Sequence, residues 1–510
     1  MLFAELLIYI RNFVLVQTFR LMENLLRHTP QHRIVMVPPI HRLPPELLEK
    51  IFSYISQDST VNPLDLLPIT HVCGRWRVAA LSSARIWSRI AMVFPVLPRK
   101  VSYTIAMLER SGAYPLDILL DLRDPAWDWD EDAHQFGWKE MENVMRLLLP
   151  HVQRWKTITI LTDTWAPIFT FLWYTKEVKS APKLESVSLS RCNAFFAAPG
   201  QIFRPVSLRE PIPFFGGTQL ERLRRLTLVG VHVDWGTASS LRNLTHLELE
   251  YQASDVMPTW KEFQVIVAGC PMLLELVLDG CTPQYEDVGS LERRDIILPH
   301  LQKLSIGFCE ASSAVQFLTC LVVPCLMDLT LEDISRLVNP LQHPDSTRIL
   351  EWFAGGNPRP VGPVDFPSTV ISASRFPLHQ IQSLELHHIL VPARVFSEFS
   401  QPFTSVRSLL LAKMEPDILE SLATHLPGGK VPFPALRNFL CQDMDAERLV
   451  ALVHRRAAPD WNAPLQNVTA EFIRTAAPSP GTRNYKALMD SGIQIVEEPQ
   501  DGASQDSMVA

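Results

Sequence analysis

The residues of this 510-residue chain best equipped for metal or redox chemistry are an adjacent histidine pair, His387 and His388, and eight cysteines. Their spacing argues against both uses. Cys73, Cys192, Cys270, Cys281, Cys309, Cys320, Cys325 and Cys441 are scattered, and no two stand as CxxC, the spacing of zinc knuckles and dithiol centres. Cys320 and Cys325 fall at a helix–turn junction with no histidine near them. Consecutive residues at a strand end point to opposite faces, so His387 and His388 are poorly placed to share an ion. Buried, unpaired thiols in a reducing compartment are the expected state of the cysteines. No GxxxxGK[ST] phosphate loop, strand-linked GxGxxG, GxSxG elbow or HExxH pair occurs. No catalytic, cofactor-binding or metal-binding residue is assigned, and the chain is expected not to be an enzyme.

Two further local signals concern surfaces. Asn243-Leu-Thr and Asn467-Val-Thr match the glycosylation acceptor sequence, but both open strand-like apolar phrases, and in an intracellular chain the match is fortuitous. The run from Asp124 to Asp132 is acidic and holds Trp127 and Trp129. It lacks the glycine and terminal glutamate of a calcium loop. It reads either as a solvated excursion or as a partner-facing loop in which the two tryptophans are anchors and the carboxylates repel wrong partners. A net charge of −7 argues against a phosphate-backbone binder.

The elements that carry these residues follow one recurring phrase: apolar, two positions, apolar, one position, apolar. It occurs at Trp155-Ile158-Ile160, Leu184-Val187-Leu189, Leu223-Leu226-Leu228, Leu244-Leu247-Leu249 and Leu273-Leu276-Leu278. It continues at Leu301-Leu304-Ile306, Leu326-Leu329-Leu331, Ile381-Leu384-Leu386, Val406-Leu409-Leu411 and Leu436-Phe439-Cys441. The steps between first residues are 29, 39, 21, 29, 28, 25, 55, 25 and 30. Most lie near the period of leucine-rich repeats, and the longest step predicts a loop around residues 340–367. The last two apolar positions share one face of a short strand, and each unit would bury that face only against its neighbours. Helices are expected between strands, as at Trp260 to Ala268 and Ser312 to Leu321. A doubly wound α/β sheet would also alternate strands with helices, but the repeated phrase favours an α/β solenoid, an irregular leucine-rich-repeat horseshoe spanning residues 96–496. Within it, 96–110 reads as a helix, 115–122 as a strand, 141–149 as a helix, and 465–472 and 493–496 as the last strands.

Ahead of this array lies a different kind of segment. Leu43-Pro44-Pro45 opens a helix, since proline is tolerated in the first turn, and Glu46 suits the positive helix start. Leu47, Leu48, Ile51, Phe52 and Ile55 then recur at helical spacing. After a polar break come Leu64 to Leu67, then His71-Val72-Cys73, with Gly74 marking a helix end or a tight junction. Arg75 to Leu81 restarts a helix with Trp76 and Ala80 on one face, and residues 84–87 run into a strand-like end. Three short helices in about fifty residues carry more large apolar side chains than so small a unit can bury, so some should face a partner.

LPPELLEKIFSYI, VCGRWR and LSSARIWSRI, in this order, resemble an F-box of the F-box-like type, here residues 41–95, about a tenth of the chain. The resemblance implies that Leu43, Pro44, Leu47 and Ile51 face a Skp-type adaptor from the first helix. It implies that Leu66, Val72, Cys73 and Trp76 do so from the next two, and that Trp87 closes the contact. Ala84 departs from the pattern, which has proline before the Leu/Ile-Trp pair. The function implied is that of a substrate-receptor subunit of a cullin–RING (SCF-type) ubiquitin ligase, with a protein substrate held by the array. The other reading is a non-catalytic interaction scaffold outside ubiquitin transfer. Glu5 and Arg11 interrupt the apolar run of residues 1–22, so no membrane span is expected; residues 1–40 are read as an amphipathic helix and linker, the alternatives being a weak mitochondrial-type presequence or an unreliable chain start. Residues 497–510 are read as a disordered tail, and a cytoplasmic or nuclear location is expected.

Overall fold

The computed structural model describes residues 43–57, 66–130, 133–192, 202–280, 282–283, 295–338, 346–355, 375–461, 463–472 and 477–497. The expected helix and linker of residues 1–40 and the tail from 498 lie outside these. The chain divides into two compact units, one running to Pro125 together with Pro150–Ile160, the other holding Ala126–Leu149 and the chain from Leu161.

The first unit begins with helices α1 (Pro45–Gln57), α2 (Leu66–Val72) and α3 (Gly74–Ser82), followed by a 3-10 turn over Ala84–Trp87. Of the two readings of Gly74, the structure has the tight junction: α2 ends at Val72, Cys73 takes the N-cap position with its Sγ accepting from Trp76 N at 3.5 Å, and α3 begins at Gly74. The chain then enters β1 (Arg89–Val93), α4 (Pro98–Arg110), β2 (Leu116–Asp121) and β3 (Trp155–Thr162), whose residues to Ile160 belong here. β1 and β2 pair in parallel, with Ile90 opposite Ile118 and Met92 opposite Leu120, all four buried. The end of α4 is closed by Arg154, whose guanidinium donates to the carbonyls of Leu108 (3.0 Å) and Gly112 and to Ser111 Oγ (3.1 Å). A basic fork thus satisfies carbonyls that a helix end leaves without partners.

The second unit is built on a long parallel sheet. Its strands are β4 (Ser186–Arg191), β5 (Arg225–Val229), β6 (His246–Glu250), β7 (Glu275–Gly280), β8 (Ile296–Ile297), β9 (Lys303–Phe308) and β10 (Leu321–Val322). Next come β11 (Asp328–Asp333), β12 (Ser383–His387), β13 (Ser408–Ala412), β14 (Asn438–Gln442), β15 (Asn467–Phe472) and β16 (Gln494–Glu497). From β4 to β16 the main sheet follows chain order, while β8 and β10 pair with each other. A doubly wound sheet would reverse its strand order at a switch point, and none occurs in this unit.

The recurring phrase sets the register. Leu226, Leu247, Leu276, Leu304, Leu329, Leu384 and Leu409 stand opposite one another across successive strands, and Leu228 to Leu411 form a second file beside them. No residue of the ten phrases is more than 2% exposed. Side chains alternate across a strand, so this register sends the leucines of the recurring phrase to one face. Helices such as Trp260–Ala268, Ala311–Thr319, Thr347–Phe353 and Ala393–Ser400 contribute buried aromatic rings. Their rings meet in sequence: Phe263 lies 5.8 Å from Phe317, Phe353 6.1 Å from Phe399, and Phe399 4.7 Å from Phe403.

The 55-residue step is not all loop. The helix Thr347–Phe353 lies inside it and buries Ile349, Leu350, Trp352 and Phe353. Asp333 holds its start: Ser335 Oγ donates to Oδ1 at 2.5 Å and Ser346 Oγ to Oδ2 at 2.6 Å. The spacing concealed this helix because its flanks, 339–345 and 356–374, carry no phrase of the repeat. The thiols also differ from expectation: Cys270, Cys320 and Cys441 are buried, Cys73 and Cys309 half-buried, and Cys192 and Cys325 exposed.

His232 fixes an acid limb of stability. Its ring stacks on Trp165 at 4.9 Å and meets Phe203 at 4.3 Å, and Nε2 donates to the Arg209 carbonyl at 2.9 Å. Burial pushes its pKa down to about 4, against 6.5 for a free imidazole. The unfolded chain therefore binds the extra proton first. Stability contributed by the neutral ring is complete above pH 6.5 and is lost as pH falls toward 4. His232→Phe is expected to flatten this part of a melting-midpoint profile measured between pH 7 and pH 5.

Candidate binding surfaces

The first surface is that of the three-helix segment. Leu48 and Phe52 turn inward from α1, and Phe52 packs on Trp76 with ring centroids 5.1 Å apart. Arg75 donates to the Leu43 carbonyl and Ser83 Oγ to Glu49 Oε1 at 2.6 Å, so α3 and the turn after it are tied to α1. What α1 leaves outside is also apolar. Leu47 is 46% exposed, Tyr54 is exposed and Ile51 is half-buried, at positions i, i+7 and i+4 of one stripe. On α3, Val78 is 69% exposed, and Leu81 three residues on is exposed as well.

The expected contact residues separate into two groups. Leu43, Ile51 and Val72 are half-buried, Pro44 and Leu47 are exposed, and Leu66 opens α2, its side chain lying outside the described set. Cys73, half-buried, serves as a helix cap. Trp76 and Trp87, at 4% and 0% exposure, are core rather than surface. Trp87 Nε1 donates to the Ala80 carbonyl at 2.8 Å, and the Arg110 guanidinium lies 4.7 Å from its ring centroid. The reason is size: a core this small closes only around its largest rings. Sequence reading passed over Tyr54, Val78 and Leu81. Ala79 and Ala80, both buried, were the available signal, because small inward residues leave Val78 and Leu81 on the outer side.

In the second unit, Trp127 and Trp129 lie 5.1 Å apart, with Trp127 Nε1 donating to the Asp130 carbonyl at 2.8 Å. Trp127 also meets His134 edge-on at 5.6 Å, and His134 Nε2 lies 2.9 Å from Asp163 Oδ2. Trp129 remains 45% exposed at a φ of 69°, a left-handed conformation unusual for a bulky residue.

The other surface of this unit is the sheet face opposite the leucines. Its central strands place Glu248 and Glu250 (β6), Glu275 and Asp279 (β7), Asp328 and Glu332 (β11) and Glu385 (β12) on one side, with Lys303 and the imidazoles of His246 and His387 among them. Lys303 Nζ pairs with Glu275 Oε1 at 2.6 Å. Burial, then the charges of Glu332 and Glu250, lifts Asp279 to about pKa 7. Burial, with Glu248 and Glu332, lifts Glu250 as well. Glu332 goes the other way: burial would raise it, but His388, 3.4 Å away, and His387 outweigh that. Glu385 is held down first by the His387 imidazole, 3.7 Å away.

Asp279 therefore stabilises the fold only while protonated. Its contribution is complete below about pH 4 and is lost as pH rises through 7. Asp279→Asn, which keeps the shape without the charge, is expected to gain about 1 kcal/mol at pH 8. That is a rise of about 2–4 °C in melting midpoint, and it should vanish at pH 4.

Among the described residues no group of three or more His, Cys, Asp or Glu side chains is placed to hold a metal ion, and no helix is long and apolar enough to cross a membrane. A family model described as F-box-like matches residues 40–92, and these residues form an F-box-like domain. No curated protein matches the chain.

Proposed function

We propose that the chain is a substrate-receptor subunit of an SCF-type cullin–RING ubiquitin ligase. The F-box-like domain docks a Skp-type adaptor, which connects it to the cullin. The second unit, an irregular leucine-rich-repeat array, holds a protein substrate. The observation that carries this reading is the pairing of the 40–92 match with apolar stripes left in water on α1 and α3. Exposed Leu47 and Val78 cost free energy in an isolated domain and return it when a partner covers them. In-register leucines on strands laid down in chain order support the repeat reading.

The chain does no chemistry of its own on this reading. It raises the effective concentration of a substrate lysine beside the ubiquitin-charged enzyme. The acidic open sheet face, which bears the sign of the phosphate backbone, supports a protein rather than a nucleic acid as partner. The free thiols of Cys270, Cys320 and Cys441 suit a cytoplasmic or nuclear location. Co-expression with a Skp-type adaptor tests the proposal. A stoichiometric complex that also captures the cullin is expected on gel filtration, and separate elution of the two proteins would overturn it.

A further inference from the structure

We propose that the open face of the adjacent strands β6, β7, β9, β11 and β12 docks an extended, lysine- or arginine-rich segment of another polypeptide. This deepens the substrate-receptor reading, and it rests on that reading only for what becomes of the bound chain.

Charge complementarity names the occupant. In one register row, Glu250, Asp279, Gly307, Glu332 and His387 stand side by side on adjacent strands. Strands lie about 4.8 Å apart, which places acids at the first, second and fourth positions of the row, within reach of the long, flexible cationic side chains of a chain crossing the strands. Lys303, committed to Glu275, is the one lysine on these strands' open face. The acids consequently repel one another, and an incoming cation would relieve that repulsion.

Two features besides charge point to a ligand. Gly307 has no side chain, and the Asp279 carboxyl leans over it, so close that a Cβ there would stand 1.7 Å from Oδ1. That Oδ1 is buried with no hydrogen-bond partner among the described residues, although Tyr251 hydrogen-bonds the same carboxyl, and the acceptor left unmet favours a donor. Next to the acids, Leu410 and Leu440 face each other across β13 and β14, half-buried on the same side. They offer the aliphatic stems of lysine or arginine an apolar bed. A lone metal ion does not fit, for want of a converging donor set, and an anionic nucleic acid would be repelled.

The test uses the purified full chain and a fluorescein-labelled peptide of alternating lysine and serine, with glutamate–serine as its counterpart, read by fluorescence anisotropy. Wild type should bind the lysine peptide and not the glutamate peptide. Glu332→Gln with Glu385→Gln should weaken binding about tenfold, which is about 1.4 kcal/mol. Glu398→Gln in the helix Ala393–Ser400 with Glu447→Gln in the helix Ala446–Ala457 removes the same charge away from the sheet face and should change it less than about twofold, as expected where charges are distant and screened. Lys303→Ala should tighten binding by about threefold through loss of a like charge, a gain that misfolding cannot mimic. Equal losses from the two glutamate pairs would reduce the effect to net charge and overturn the proposal. So would failure to distinguish the two peptides. Adaptor capture is read separately, so a chain that binds the lysine peptide but no adaptor refutes the ligase role and leaves this inference standing.

Discussion

Leu47→Asp combined with Val78→Asp is expected to lower recovery of a Skp-type adaptor at least about a hundredfold while leaving the fold intact. Val78 is mostly and Leu47 nearly half in water in the free chain, so aspartate there costs the folded state little. In a docked complex the same positions are desolvated, and a carboxylate without a partner there costs about 2 kcal/mol or more at each site. Two such losses exceed the roughly 2.7 kcal/mol that a hundredfold change requires. Adaptor capture and the circular-dichroism melt should be measured on the same preparation. Undiminished capture with an unchanged melt would remove α1 and α3 as the docking surface.

Trp87→Ala should have the opposite signature, a large loss of stability that takes adaptor binding with it. The ring is fully buried, bonded to the Ala80 carbonyl and covered by Arg110. Truncation of a buried aromatic costs about 3–5 kcal/mol, with a further penalty for the carbonyl left unsatisfied. For a domain whose whole stability is of order 5–15 kcal/mol, that places the first unit near unfolding at 37 °C. Limited proteolysis should then cut within residues 66–122 in the variant and spare them in wild type. Trp87→Phe, which keeps most of the volume, should recover much of the protection. A stable Trp87→Ala chain that has lost only the adaptor would return Trp87 to the interface.

These two results separate what the sequence disclosed from what it did not. The leucine files were legible because their signal is local: the spacing within Leu244-Leu247-Leu249 already states which side of a strand is buried. The helix Thr347–Phe353 was not, because a single short amphipathic turn inside a long unphrased stretch has no period to reveal it. In the F-box-like segment the elements could be read, but their outward faces could not. A tryptophan that plugs a core and one that meets a partner look alike in a sequence, and only packing distinguished Trp87 from Leu47. The acidic face escaped notice for another reason. Glu250, Asp279 and Glu332 are separated by dozens of residues, and only the strand register makes them neighbours.

The chain-ordered sheet of the second unit bears on how the protein is made. Each strand from β5 onward pairs with one already synthesised, apart from the small β8–β10 pair, so none has to wait for a distant segment to leave the ribosome. The detour between β11 and β12 is the longest pause in that addition. There the newest leucine file stays open to chaperones or to stray chains until Leu384 arrives to cover Leu329.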